Sequence, residues 1–146
     1  MKSKAVSFAF GISVLLFLFT GISCGPKYQV KWEPYTEAKL SESLSAGKPA
    51  IIFFTAAWCG PCHVIKDHTF ADLKVIEMLE PFTRLKADMS FQESPKVIAL
   101  SEKYEVTGLP TILLFKPNGK PEGDMRLLGY LTTEEFTSEI QKFLLS

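Results

Sequence analysis

The run Ala50-Ile51-Ile52-Phe53-Phe54-Thr55-Ala56-Ala57 leads without a break into Trp58-Cys59-Gly60-Pro61-Cys62. A strand that is apolar on both faces has to be covered on both sides, which places Ala50 to Thr55 at the centre of a helix-flanked sheet. A helix should start near Cys59 and continue through Val64 and Ile65. A strand that delivers C-x-x-C onto the first turn of a helix is an arrangement for chemistry more than for packing, and it reads as a redox dithiol. The competing readings are a structural bridge or half of a zinc site. With only His63 and His68 nearby, zinc lacks convincing ligands, and no metal or other cofactor is expected. Cys59 to His63 also matches the C-x-x-C-H of c-type haem attachment.

Other elements follow from local signals. Val30-Lys31-Trp32 suits a first short strand. Thr36 can cap a helix to about Ala46, with Ala38, Leu40 and Leu44 turned inward and Gly47 ending it. Asp72 can cap a short helix from Leu73 to Leu79, stopped by Glu80-Pro81. Thr83 to Asp88 fits a strand. Ser94-Pro95 is a helix start, and that helix should present Val97, Ile98 and Leu100 to the core. Thr111 to Phe115 is a strand, Pro117-Asn118-Gly119-Lys120 a turn, and Met125 to Leu128 an antiparallel edge strand. Thr132-Thr133-Glu134-Glu135 is a capping box, followed by Phe136, Ile140, Phe143 and Leu144 at helical spacing. The order is βαβαβαββα, an α/β fold with a mixed central sheet and helices on both faces.

The N-terminus differs in kind. Lys2 and Lys4 precede an uncharged run from Ala5 to Ser23 that ends Thr20-Gly21-Ile22-Ser23-Cys24. A basic start, an apolar middle and small residues at the end resemble an export signal over residues 1–23. Small residues before a cysteine also resemble the lipobox of bacterial lipoproteins, in which that cysteine is lipidated; Gly21 stands where that family usually has Leu. An uncleaved membrane anchor and ordinary signal cleavage are the alternatives, since the uncharged run is just long enough to span. Each places the domain outside the cytoplasm, on the outer side of a membrane. Residues 24–29 read as a tether and 30–146 as one domain. The chain has three cysteines, and lipidation of Cys24 would leave Cys59 and Cys62 as a self-contained pair. Lys+Arg and Asp+Glu both number 16, so nothing suggests the basic face that nucleic acid would need.

The sequence Phe-x-x-x-Trp-Cys-Gly-Pro-Cys, then Gly108-Leu109-Pro110-Thr111, then a hairpin and a terminal helix, resembles thioredoxin from about Val30 onward. Thr69-Phe70-Ala71-Asp72 with Val75, Val106 to Ile112, and Arg126 to Gly129 resemble most the C-terminal periplasmic domain of membrane thiol–disulfide interchange reductases. The resemblance implies a thioredoxin fold. It also implies that Pro110 is cis and faces the dithiol, with the backbone before it pairing with substrate and Leu109 helping to set substrate choice. Trp58 would cover one side of the site, and Gly60-Pro61 would set the dithiol's poise. The chain departs from that pattern at Phe53, where many relatives carry a buried Asp that assists proton transfer.

Only a thiolate attacks a disulfide, and a helix N-terminus lowers a thiol's pKa from about 8.5 into the range of about 3.5–7.5. Cys59 would therefore attack a substrate disulfide, and Cys62 would resolve the mixed disulfide. The leading expectation is a membrane-tethered, monomeric thiol–disulfide oxidoreductase, reducing more than oxidising. It would act on protein disulfides, with a transmembrane thiol reductase as a possible electron donor. The alternative is a redox-linked binding module or chaperone for exported chains with little turnover.

Overall fold

The computed structural model describes residues 28–120 and 122–146. The expected leader, Cys24 and most of the tether lie outside the described residues. The elements are β1 (Glu33–Pro34), α1 (Glu37–Ser45), β2 (Ala50–Thr55), α2 (Gly60–Asp67), a 3₁₀ turn (Thr69–Ala71), α3 (Leu73–Met78), β3 (Thr83–Asp88), α4 (Pro95–Lys103), β4 (Thr111–Phe115), β5 (Met125–Leu128) and α5 (Thr133–Leu145). The sheet order is β1-β3-β2-β4-β5. β2 runs parallel to β3 and antiparallel to β4, so the sheet is mixed and β2 is central. β5 closes the other edge antiparallel to β4.

The register assigns each side chain of β2 to a face. Phe53 packs against Phe70, with ring centroids 5.1 Å apart, and Phe70 against Phe136 of α5 at 5.4 Å. Phe54, one residue on, points to the opposite face and meets Tyr104 at 5.6 Å. Tyr104 follows α4 and meets Tyr35, just before α1, edge-on. Helices thus cover both faces, as the doubly apolar run required. Tyr35 and Tyr104 share a buried hydrogen bond of 3.0 Å, and Tyr35 Oη also donates to Glu37 at 2.9 Å.

The predicted caps form. Thr36 accepts from Lys39 N, Asp72 from Lys74 N and Ser94 from Val97 N. Thr132 and Glu135 exchange both bonds of the capping box that starts α5. α4 ends with Glu105 at φ +49°, and the Arg126 guanidinium donates to the carbonyls of Tyr104 and Glu105, which α4 leaves unpaired.

Four expectations need correction. The first strand is Glu33–Pro34, paired with Leu85 and Lys86, while Val30 instead donates its N–H to Phe70 O. Ala38 and Leu144 are exposed. Ile98 is 45% exposed, because α4 turns Val97, Leu100 and Tyr104 inward and a helix of this length has one inward stripe. The β2–β3 connection holds the two helices expected there, with the 3₁₀ turn between them, so the order written out is βαβααβαββα.

Candidate active site

β2 ends at Thr55, and its last turn hands the chain directly to α2. Cys59 is the N-cap of α2, and its Sγ accepts the Cys62 N–H at 3.2 Å. The Cys59 carbonyl accepts from Cys62 N and His63 N. A thiolate at Cys59 would sit where α2's unpaired N–H groups converge. Pro61, in the first turn of α2, has no N–H to leave unsatisfied there. Cys59 and Cys62 are joined by a disulfide, with Cα atoms 5.2 Å apart. The residues are 3% and 2% exposed, so the dithiol is almost covered by its surroundings. A Cβ on Gly60 would meet nothing within 4 Å, so packing does not demand glycine there.

Three further predicted residues gather at the same end of the sheet. Trp58 is 55% exposed and lines a groove of about 290 Å³ with Met89, Val106, Thr107, Gly108 and Leu109. The Leu109–Pro110 peptide bond is cis. Pro110 is buried directly before β4, and its carbonyl accepts from Gly129 N at 2.9 Å. Since Phe54 pairs with Thr111, Pro110 falls beside the end of β2 that leads to the dithiol.

Sequence reasoning missed the group that fixes the β2–α2 loop. Ser90 Oγ donates to Asp88 Oδ1 at 2.5 Å and accepts from Ala57 N at 2.8 Å. The Ser90 carbonyl accepts from Trp58 Nε1 at 3.1 Å. The Ser90 hydroxyl and N–H together hold the Asp88 carboxyl below the usual carboxylate range. Asp88-Met89-Ser90 has the spacing of an Asx turn, a local signal that could have marked it.

Behind the dithiol lies a cavity of about 470 Å³, lined by Cys62, Phe53, His63, Lys66, Lys86 and Asp88 among others. Phe53 pairs with Lys86 and Thr55 with Asp88, so these four share the sheet face under α2. Phe53 is 1% exposed and forms a triangle of rings with Trp32 and Phe70, at centroid distances of 5.4 and 5.1 Å from them. No acid takes its place in that cluster. His63 Nε2 lies 2.9 Å from the Ala57 carbonyl. Among the described residues, no three His, Cys, Asp or Glu are grouped to hold a metal ion.

A family model described as a thioredoxin-like domain matches residues 36–144. The thiol:disulfide interchange protein DsbD of Pectobacterium atrosepticum is 37% identical over 65 residues, which is 44% of this chain and 11% of that protein. The chain therefore spans a small part of that curated relative's length. Among solved structures, a thioredoxin from Thermus thermophilus superposes with a TM-score of 0.65 at 26% identity, covering 80% of this chain and 88% of the other. The DsbD C-terminal domain of Neisseria meningitidis in the oxidised form superposes with a TM-score of 0.62 at 22% identity, over 77% and 98%. The fold is that of thioredoxin.

Proposed function

This chain belongs to the thioredoxin-like domain family and is by class a thiol–disulfide oxidoreductase, and we propose that it reduces disulfides of exported proteins from a membrane-tethered position. The observation that carries the chemistry is Cys59 at the N-cap of α2, receiving the Cys62 N–H and bonded to Cys62. In the reduced state Cys59 attacks a substrate disulfide, and its sulfur forms a mixed disulfide as one substrate thiolate leaves. Cys62 then attacks Cys59 Sγ, the second substrate thiolate leaves, and the Cys59–Cys62 bond forms. Substrate is reduced and the dithiol is oxidised.

The substrate chain lies in the groove between Trp58 and Leu109, with Pro110 beneath it. Gly60 and Pro61 tune the poise of the pair. The likeness to an interchange protein supports a membrane thiol reductase as the electron donor, since an exported dithiol is otherwise left oxidised. The basic start and the run ending at Cys24 support export, with the tether at 24–29 and either a lipid on Cys24 or a residual anchor holding the domain at the membrane. No helix among the described residues is long and apolar enough to cross a membrane.

The test is turbidimetric reduction of insulin with dithiothreitol as electron source. The wild-type chain accelerates precipitation, and Cys59→Ser does not. Equal rates for the two proteins would remove the enzymatic reading and leave a binding module.

A further inference from the structure

Resolution of the mixed disulfide requires Cys62 to lose its thiol proton, and Phe53 leaves no acid in the cluster beneath it. The groups able to take that proton are those on the walls of the cavity behind Cys62. Lys66 from α2 and Lys86 from β3 bring ammonium groups, which donate hydrogen bonds and accept none. Asp88 from β3 brings a carboxylate, but Oδ1 already accepts both the hydroxyl and the N–H of Ser90. Those two bonds hold its carboxyl low, so it is a weak base toward a thiol. The amide of Gln29, the hydroxyls of Thr55 and Ser90 and the indole of Trp32 also line the cavity, and none of these groups is a base toward a thiol.

His63 differs from all of these. It follows Cys62 in the first turns of α2, and its ring folds back so that Nε2 lies 2.9 Å from the Ala57 carbonyl. A carbonyl oxygen can only accept, so Nε2 carries the hydrogen. The neutral ring must then hold its lone pair on Nδ1. The backbone of the β2–α2 loop thereby selects the tautomer and clamps the ring at the cavity's edge. The cavity's volume of about 470 Å³ far exceeds the roughly 30 Å³ that a water molecule occupies, so solvent can bridge Cys62 to the ring.

We propose that His63 is the proton acceptor for Cys62 in the resolving step, reached through solvent in this cavity, and that it takes over the task that a buried acid would perform at position 53. This rests on the dithiol reading above. The step balances as follows. The Cys62 Sγ–H proton passes through water to His63 Nδ1. The Cys62 thiolate attacks Cys59 Sγ, the bond between Cys59 and the substrate sulfur breaks, and the substrate leaves as a thiolate. The imidazolium then returns its proton to that thiolate or to solvent.

The experiment is stopped-flow reaction of the reduced full chain with an aryl disulfide, 5,5′-dithiobis(2-nitrobenzoate). The first coloured thiolate is released by Cys59 attack and the second by Cys62 resolution. In the wild type the second phase gains rate with rising pH through an inflection and then levels. His63→Gln leaves the first phase unchanged, slows the second by about 10²-fold at neutral pH and abolishes the inflection. Asp88→Asn keeps it. Added imidazole restores the second phase to His63→Ala, a result that a merely structural role would not give. A wild-type second phase in His63→Gln, or loss of the inflection in Asp88→Asn alone, overturns the assignment. Absence of a second phase in the wild type would instead overturn the dithiol reading itself.

Discussion

Phe53 stands at the position where the resemblance to thioredoxin implies a buried acid, and its surroundings predict what polarity there would do. The ring is 1% exposed and projects from the central strand against both Trp32 and Phe70. Truncation to alanine removes that ring and leaves a cavity that β2, paired on both sides, cannot collapse. The cost of a buried Phe→Ala change is about 3–5 kcal/mol, against a total of about 5–15 for a domain. Urea unfolding should show it as a lower midpoint with an unchanged slope, and the thermal midpoint should fall by on the order of 10–25 °C. Phe53→Asp and Phe53→Asn, of nearly equal size, separate packing from charge. Burial raises an aspartate's folded pKa, so the folded state of Phe53→Asp holds its proton to higher pH than the unfolded state does. Its extra loss relative to Phe53→Asn is then absent below the unfolded value of about 3.9 and grows as pH rises above it, until the folded pKa is passed. A Phe53→Ala cost below about 1 kcal/mol, or Asp and Asn curves that stay parallel at every pH, would refute this account of why the acid is missing.

Three smaller predictions follow from the same contacts. Thr132→Ala should lose about 0.5–2 kcal/mol, because it removes the hydroxyl that accepts from Glu135 N and so opens one half of the capping box, and Thr132→Ser should retain most of the wild-type stability in urea titrations. Tyr104→Phe removes a buried hydroxyl bonded to Tyr35 and should cost about 1 kcal/mol by the same assay. Glu37 is held below its ordinary 4.5, first by the hydrogen bond from Lys103 and also by that from Tyr35. Its contribution is therefore complete above that value and is lost as pH falls through the lower folded one, so Glu37→Gln should flatten the acid limb of the stability–pH curve. An unaltered acid limb would contradict the assignment.

The dithiol, the central strand and the caps were legible because each is a local pattern, whereas the cis proline was expected only through the resemblance to thioredoxin. β1 was misplaced because a two-residue strand has no periodicity to read. Pro34 also argues against a strand in sequence, although on the sheet edge its missing N–H costs no ladder bond. The 3₁₀ turn Thr69–Ala71 is too short to show a period. Ile98 was assigned inward because three apolar residues close together on one helix look equivalent until the stripe is fixed by what it faces. The cavity behind Cys62 was illegible for a different reason. Lys86 and Asp88 reach it through strand register, and His63 through a ring bonded to the backbone of the preceding loop, neither of which is written in any one segment.

The central claim is that the N-terminus of α2 makes Cys59, and not Cys62, the attacking sulfur. The most direct measurement is the pH dependence of iodoacetamide alkylation of the reduced chain, with the modified cysteine located by mass spectrometry. Cys59 should be alkylated first, with a midpoint well below the free-thiol value of about 8.5, and Cys62 should react only at higher pH. Equal midpoints near 8.5, or preferential modification of Cys62, would contradict the account.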